Sequence, residues 1–71
     1  MPNNNHANIT TADVLTLLLH NQHALSAGLE EVALWIRANG GIESHHNVIT
    51  AMETLDRNAS AITAGILKLR L

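Results

Sequence analysis

Histidines are the side chains of this sequence whose type and spacing could bind a metal ion. His20 and His23 are three residues apart, so on a helix their imidazole rings lie on one face. Helical metal sites use such pairs but draw further ligands from neighbouring helices. On the heptad pattern described below, the pair falls on the outer face, where no carboxylate or further histidine is well placed within the chain. We therefore favour a solvated pair and keep weak metal binding as a third functional hypothesis.

A second histidine pair, His45 and His46, stands at the start of the predicted second helix. Because a helix N-terminus does not favour cations, the pair could serve a pH-sensitive contact, although ordinary residues near a loop are the simpler interpretation. Signatures of catalysis are missing. The sequence has no cysteine, no phosphate-binding glycine loop, no zinc-protease helix motif and no nucleophile elbow. We expect a non-catalytic protein without a cofactor.

Two helices would carry these side chains. From 15 to 36 and from 48 to 69, apolar residues recur at alternating steps of three and four, the a/d heptad pattern of coiled coils. None of the charged residues falls on these positions within either helix. The pattern predicts an all-α fold. The residues expected to form the core and the dimer interface are Leu15, Leu18, Gln22, Leu25, Leu29, Val32, Ile36, Val48, Met52, Leu55, Ala59, Ile62, Ile66 and Leu69.

The chain begins with a polar stretch that differs from the rest. Residues 1–9 are asparagine-rich and without periodicity, which predicts a flexible tail. Thr10 or Thr11 can then cap the first helix through its hydroxyl group, and that helix is expected over about 11–38. Residues 10–71 should form a single helical-hairpin domain.

A glycine pair at 40–41 separates the two heptad patterns. Glycine readily adopts the left-handed conformation that ends a helix, and a short loop makes consecutive helices antiparallel neighbours. Ser44 is the expected cap of the second helix, predicted over 44–70. Such a hairpin would bring Asp13 beside Lys68 and Arg70, an opposite-charge match at the open end.

The apolar stripes are wider than one hairpin can cover. Val14, Leu19 and Trp35 on the first helix, and Ile49 on the second, lie beside the a/d positions. A chain of 71 residues without cysteine has neither a large core nor a disulfide, so a partner chain is the expected source of stability. We predict a homodimeric four-helix bundle. Gln22 on the seam would then face Ser60 in a buried polar layer, or lie where the bundle is wet.

Charge limits the class of partner. The net charge is −2 and the four Lys and Arg residues are dispersed, which disfavours the basic patch of a nucleic-acid-binding protein. The leading hypothesis is a small interaction or regulatory protein that binds itself and another protein. RNA binding by a bundle face is the alternative, because the general plan is similar to that of dimeric hairpin bundles of the plasmid RNA-binding Rop type, although no motif is shared.

Three leucines lie outside the seam. Leu17, Leu34 and Leu67 fall on outer heptad positions, where scattered exposed leucines are ordinary, and we keep them as a possible surface for docking another protein. The apolar run at 14–19 is far shorter than the roughly 20 residues that span a membrane. With no charged leader before that run, a cytoplasmic location without membrane contact is expected.

Overall fold

The structure, a computed structural model that describes residues 5–71, consists of two long α-helices joined by a tight turn. Helix α1 comprises Asn5–Ala38 and helix α2 comprises Ile42–Arg70, with lengths of 34 and 29 residues. They pack side by side as an antiparallel hairpin measuring 60 × 15 × 11 Å. The predicted all-α hairpin is thereby confirmed, and residues 5–71 contain no strand.

Helix α1 begins earlier than the sequence predicts. The expected tail is already helical from Asn5 onwards, and Thr10 lies inside the helix, where its hydroxyl donates to the carbonyl oxygen of His6 at 3.1 Å. The physical reason is packing, since half-buried Asn8 and fully buried Ala12 extend the row that faces α2 by one more turn. Tertiary contact outweighs the weak helix propensity of asparagine. Residues 1–4, the rest of the predicted tail, lie outside the described residues.

The turn ends α1 through backbone hydrogen bonds. Gly40 has φ +86°, and its N–H donates to the carbonyl of Arg37 at 3.2 Å, while the N–H of Gly41 donates to that of Ile36 at 2.9 Å. This pair of bonds is the Schellman motif, in which glycine occupies the left-handed position. The predicted glycine stop is therefore confirmed.

Helix α2 begins at Ile42, so the predicted start at Ser44 is wrong by about half a turn. Gly41 takes the cap position, and no side chain makes a capping hydrogen bond there. The carbonyl of Gly41 instead accepts from the N–H of His45 at 2.8 Å, so the turn leads directly into the first helical hydrogen bond. Ser44 lies within the first turn of the helix.

The turn gives a first testable prediction. A methyl group added at Gly41 would lie 2.6 Å from Cγ2 of Ile36, whereas one added at Gly28 would have no neighbour within 4 Å in the single chain. Overpacking of this kind costs about 1–3 kcal/mol, so Gly41→Ala should lower the thermal midpoint followed by circular dichroism. Gly28→Ala, the control, makes no such clash within the chain, and alanine is the better helix former by about 1 kcal/mol, so its midpoint should lie above that of Gly41→Ala. Equal midpoints for the two variants would contradict this account of the turn.

The contact between the two helices buries few side chains. The buried residues are Ala12, Leu19, Ala33 and Ile66. Three of them form a cluster towards the open end of the hairpin, where half-buried leucine, isoleucine and alanine side chains pack around it. No large side chain is fully buried in residues 5–71. Neither helix there has an apolar stretch long enough to cross a membrane.

A polar contact replaces apolar packing near the middle of the hairpin. The Nε2 amide of Gln22 donates to the carbonyl oxygen of Leu55 at 2.9 Å, across the two helices. The predicted partner, Ser60, is exposed. The long glutamine side chain reaches a backbone oxygen of α2 instead, which satisfies the amide without a second polar side chain.

Candidate interaction surface

The first helix faces the second through a different pair of heptad rows from the predicted pair. Leu15, Gln22, Leu29 and Ile36 lie half-buried between the helices. The other half of the predicted α1 seam does not, because Leu18, Leu25 and Val32 are 57%, 67% and 50% exposed in the single chain. The positions facing α2 are taken by the neighbouring row of Ala12, Leu19, Ser26 and Ala33, which are buried or half-buried.

Residue size accounts for this choice of rows. Alanine and serine let two helix backbones approach closely, and Leu19, the one large side chain of this row, packs in the cluster with Ile66. On α2 the expected row lies at the contact. Its half-buried or buried residues are Val48, Met52, Leu55, Ala59, Ile62, Ile66 and Leu69.

One side of α1 carries a continuous apolar stripe. It includes the predicted row that does not face α2, namely Leu18, Leu25 and Val32. Its members share two adjacent heptad positions and are each at least half exposed in the single chain. We call the following residues the α1 stripe: Val14, Leu18, Leu25, Val32 and Trp35. From its first to its last residue the stripe runs for about 32 Å along the helix.

A salt bridge shows which sides of the two helices adjoin. A guanidinium nitrogen of Arg70 lies 2.8 Å from a carboxylate oxygen of Asp13 and 3.5 Å from the hydroxyl of Thr16. The predicted match of Asp13 is therefore confirmed for Arg70 and wrong for Lys68, which the helical repeat places on the other side of α2. Exposed pairs of this kind contribute only about 0–1 kcal/mol, so the bridge matters more as a marker of geometry than as a source of stability.

The charged residues follow from this geometry. Helical periodicity places most of them on the side marked by Arg70 and Thr16, which we call the charged flank. Its members are Asp13, Glu30, Arg37, Glu53, Asp56 and Arg70. Glu31, Glu43 and Arg57 point along the outer edges of the hairpin, and Lys68 is the one charged residue between 5 and 71 on the side of the stripe. The hairpin is therefore two-sided, with an apolar side on which Lys68 is the one charge within residues 5–71 and a side that carries most of the charges.

Helix α2 contributes short side chains to the apolar side. At the heptad position next to the helix contact it carries Ser44, Ala51, Asn58 and Gly65. The large apolar side chains of this face thus belong to α1. The α2 side chains beside them are short, two of them polar and two not. Any partner that buries the face must find its main contacts on α1.

The histidines lie away from the stripe. His20 and His23 are exposed and lie on the charged flank, His46 is exposed, and His45 is half-buried beside the helix contact. Between residues 5 and 71 no three histidine, aspartate or glutamate side chains are grouped in a way that could hold a metal ion.

The leucines proposed as a docking surface are not brought together. Leu17, Leu34 and Leu67 are all exposed, but Leu17 and Leu34 lie about 25 Å apart along α1, and Leu67 is on the other helix. At the open end, Asn5, Ile9 and the last residues of α2 line a depression of about 80 Å³. Pockets for small organic ligands are usually about 300–1,000 Å³, so this depression does not form such a site.

The comparisons with known proteins leave this surface as the guide to function. No family model, no curated protein and no solved structure matches the chain. The class of protein is therefore defined by its own features, a two-helix hairpin with one apolar and one charged side.

Proposed function

We propose that the chain is a small non-catalytic interaction protein that acts as a homodimer. Two hairpins pack through the apolar side to form a four-helix bundle, and the charged flanks remain outside for contact with another protein. The single observation that carries this proposal is the uncharged α1 stripe, which lies on a side of α1 that α2 leaves exposed. Large exposed apolar patches on small proteins mark interaction surfaces.

The solvent-accessible surface area of the chain supports a second copy of it as the partner that covers the α1 stripe. The chain has a solvent-accessible surface of 5499 Å². A compact monomer of its mass would expose about 4,300 Å², so the excess is roughly 1,200 Å². A standard stable interface buries about 800 Å² on each partner. One hairpin therefore has enough spare surface for a stable dimer.

Stability points the same way. Only Ala12, Leu19, Ala33 and Ile66 are buried in the single chain, and two of these are alanines. A domain below about 70–80 residues seldom gains more than 3–5 kcal/mol from one core, and oligomerisation is a usual remedy where disulfides are absent. Complete burial of an exposed leucine or valine is worth about 1.5–3 kcal/mol, and the stripe side chains, which are half to two-thirds exposed, would gain the corresponding part of it.

The distribution of charge favours this partner over nucleic acid. Packing the stripes together leaves the charged flanks and outer edges in water, so few charges lose their hydration. The RNA-binding alternative gains no support from the basic residues. Arg37 and Arg70 lie among carboxylates on the charged flank, Arg57 lies on an outer edge, and Lys68 lies on the opposite side.

Light scattering over a concentration series tests the dimer. The expected result is a mass of twice the 7.7 kDa of one chain at micromolar concentration, with reversible dissociation on dilution. A fully helical species of single-chain mass at every concentration would overturn the proposal. A larger assembly would also overturn it, because two apolar sides are enough to cover each other.

A further inference from the structure

We infer that the two copies pack stripe against stripe in antiparallel order, with a twofold axis at Leu25 and the two turns at opposite ends of the bundle. The inference rests on the proposed dimer and adds its arrangement. In a twofold interface, if residue i of one copy contacts residue j of the other, then j also contacts i. The stripe must therefore pair with itself in reverse order.

The order of residues in the stripe suits that reversal. Leu18 and Val32 stand seven residues on either side of Leu25, so each lies opposite the other across the axis. Val14 and Trp35 stand eleven and ten residues away and form the outer pair. Apolar residues thus meet apolar residues at five levels along the interface.

Side-chain sizes are complementary in this order. The large indole of Trp35 lies opposite the small Val14, and Asn21 lies opposite Gly28, which has open space around its Cα in the single chain. Alternation of large and small side chains across facing positions is what lets two helices interlock. The same helix offers no comparable match about any axis that leaves Leu25.

The second helix is compatible with the same axis. The Asp13–Arg70 salt bridge and the Gln22–Leu55 hydrogen bond bracket the register of the hairpin, and between them Leu25 lies level with the segment 52–58 of α2. Asn58, at one end of that segment and on the apolar side, can then approach the same residue of the other copy. An amide both donates and accepts, so two asparagines can bond to each other, as paired asparagines do in coiled coils where they set the register.

The other twofold arrangement, with both turns at the same end, places α1 over α2 of the second copy. Leu25 would then lie against Asn58, and Val14 against Lys68. Covering the amide of Asn58 with leucine removes water without supplying a hydrogen-bond partner, which disfavours this arrangement, whereas the flexible Lys68 side chain can keep its ammonium group in water. The polar side chains of α2 therefore favour the arrangement with the two turns at opposite ends.

Cysteine cross-linking tests the arrangement, because the chain has no cysteine of its own. A disulfide needs Cα atoms about 4.4–6.8 Å apart, and a residue at the twofold axis can meet that limit with its own copy. Oxidised without denaturant, Leu25→Cys should convert nearly all chains to a linked dimer. Leu18→Cys and Val32→Cys should each stay unlinked alone but link to each other when mixed and re-equilibrated.

Leu17→Cys is the matched control, since the exposures of Leu17 and Leu25 are 65% and 67% in the single chain. It lies on the outer side of α1 and should remain unlinked. Efficient linking in a mixture of Leu25→Cys with Asn58→Cys, without linking of Leu25→Cys alone, would overturn the inference in favour of turns at the same end. The wild-type mass separates the two claims, because a dimer with that cross-link pattern overturns only the arrangement, and a monomer overturns both.

Discussion

Replacing Leu25 by aspartate is expected to dissociate the proposed dimer and to lower its helicity. The substitution places a carboxylate from each copy beside the twofold axis, where the two negative charges repel each other and lose water. An unpaired charge in an interface costs about 3–5 kcal/mol, which corresponds to a rise in the dissociation constant of about 150- to 4,000-fold. Helicity should fall because the separated hairpin keeps only a small core.

The matched control for this prediction is Leu17→Asp. Both leucines lie in α1, and the single chain exposes 65% of Leu17 and 67% of Leu25, so hairpin stability alone predicts similar effects. The dimer predicts a large loss only for Leu25→Asp, since Leu17 faces away from the stripe. Mass from light scattering and ellipticity at equal protein concentration measure the difference. Similar behaviour of the two variants would remove the α1 stripe as the assembly surface.

The hairpin itself was predictable from the sequence because its signals are local and agree with one another. Regular apolar spacing forms two helices, and a glycine pair that can adopt positive φ separates them. On α2 the neighbours of the apolar contact residues are short, polar or charged except for Ile49, so the inward face was clearer than on α1. The start of α1 was missed because asparagine-rich residues are poor helix formers and the contact that holds them is with the distant end of α2.

The inward face of α1 could not be chosen by apolar pattern alone. The row containing Leu15 and Leu29 has apolar neighbours on both sides, one beginning with Leu18 and the other with Leu19. Total apolar content favours the row of Leu18, but close approach of the helices favours the smaller residues around Leu19. An apolar pattern reports how much free energy side chains gain on leaving water. It does not report side-chain shape, which determines how closely two helices pack.

Charge was the signal that would have resolved this choice. Glu30 and Arg37 share a heptad position beside the row of Leu19, whereas the positions beside the row of Leu18 are uncharged. The apolar surface of α1 therefore extends beyond the contact with α2 on the side of Leu18 only. That asymmetry is what a hairpin with a second apolar partner requires.

Truncating Leu19 to alanine should therefore unfold the hairpin to a greater degree than any other single leucine truncation in α1. Leu19 is 8% exposed and packs in the cluster with Ile66, whereas the adjacent Leu18 is 57% exposed. Leucine-to-alanine changes in cores cost about 2–5 kcal/mol, a loss comparable with the whole stability of a domain of this size. Urea unfolding followed by ellipticity, in a stabilising osmolyte such as trimethylamine N-oxide, keeps all variants measurable.

Coupling with Ile66 distinguishes a contact inside the chain from one across the dimer. Ile66→Val costs about 0.5–1.5 kcal/mol alone, and with Leu19→Ala the combined loss should differ from the sum by about 0.5–3 kcal/mol. With Leu18→Ala, the two losses should add within about 0.5 kcal/mol, since Leu18 faces Val32 of the second copy in the proposed arrangement. Stronger coupling of Ile66 to Leu18 than to Leu19 would mean that α1 is rotated towards the row that apolar pattern favours, and the stripe would then lie inside the hairpin.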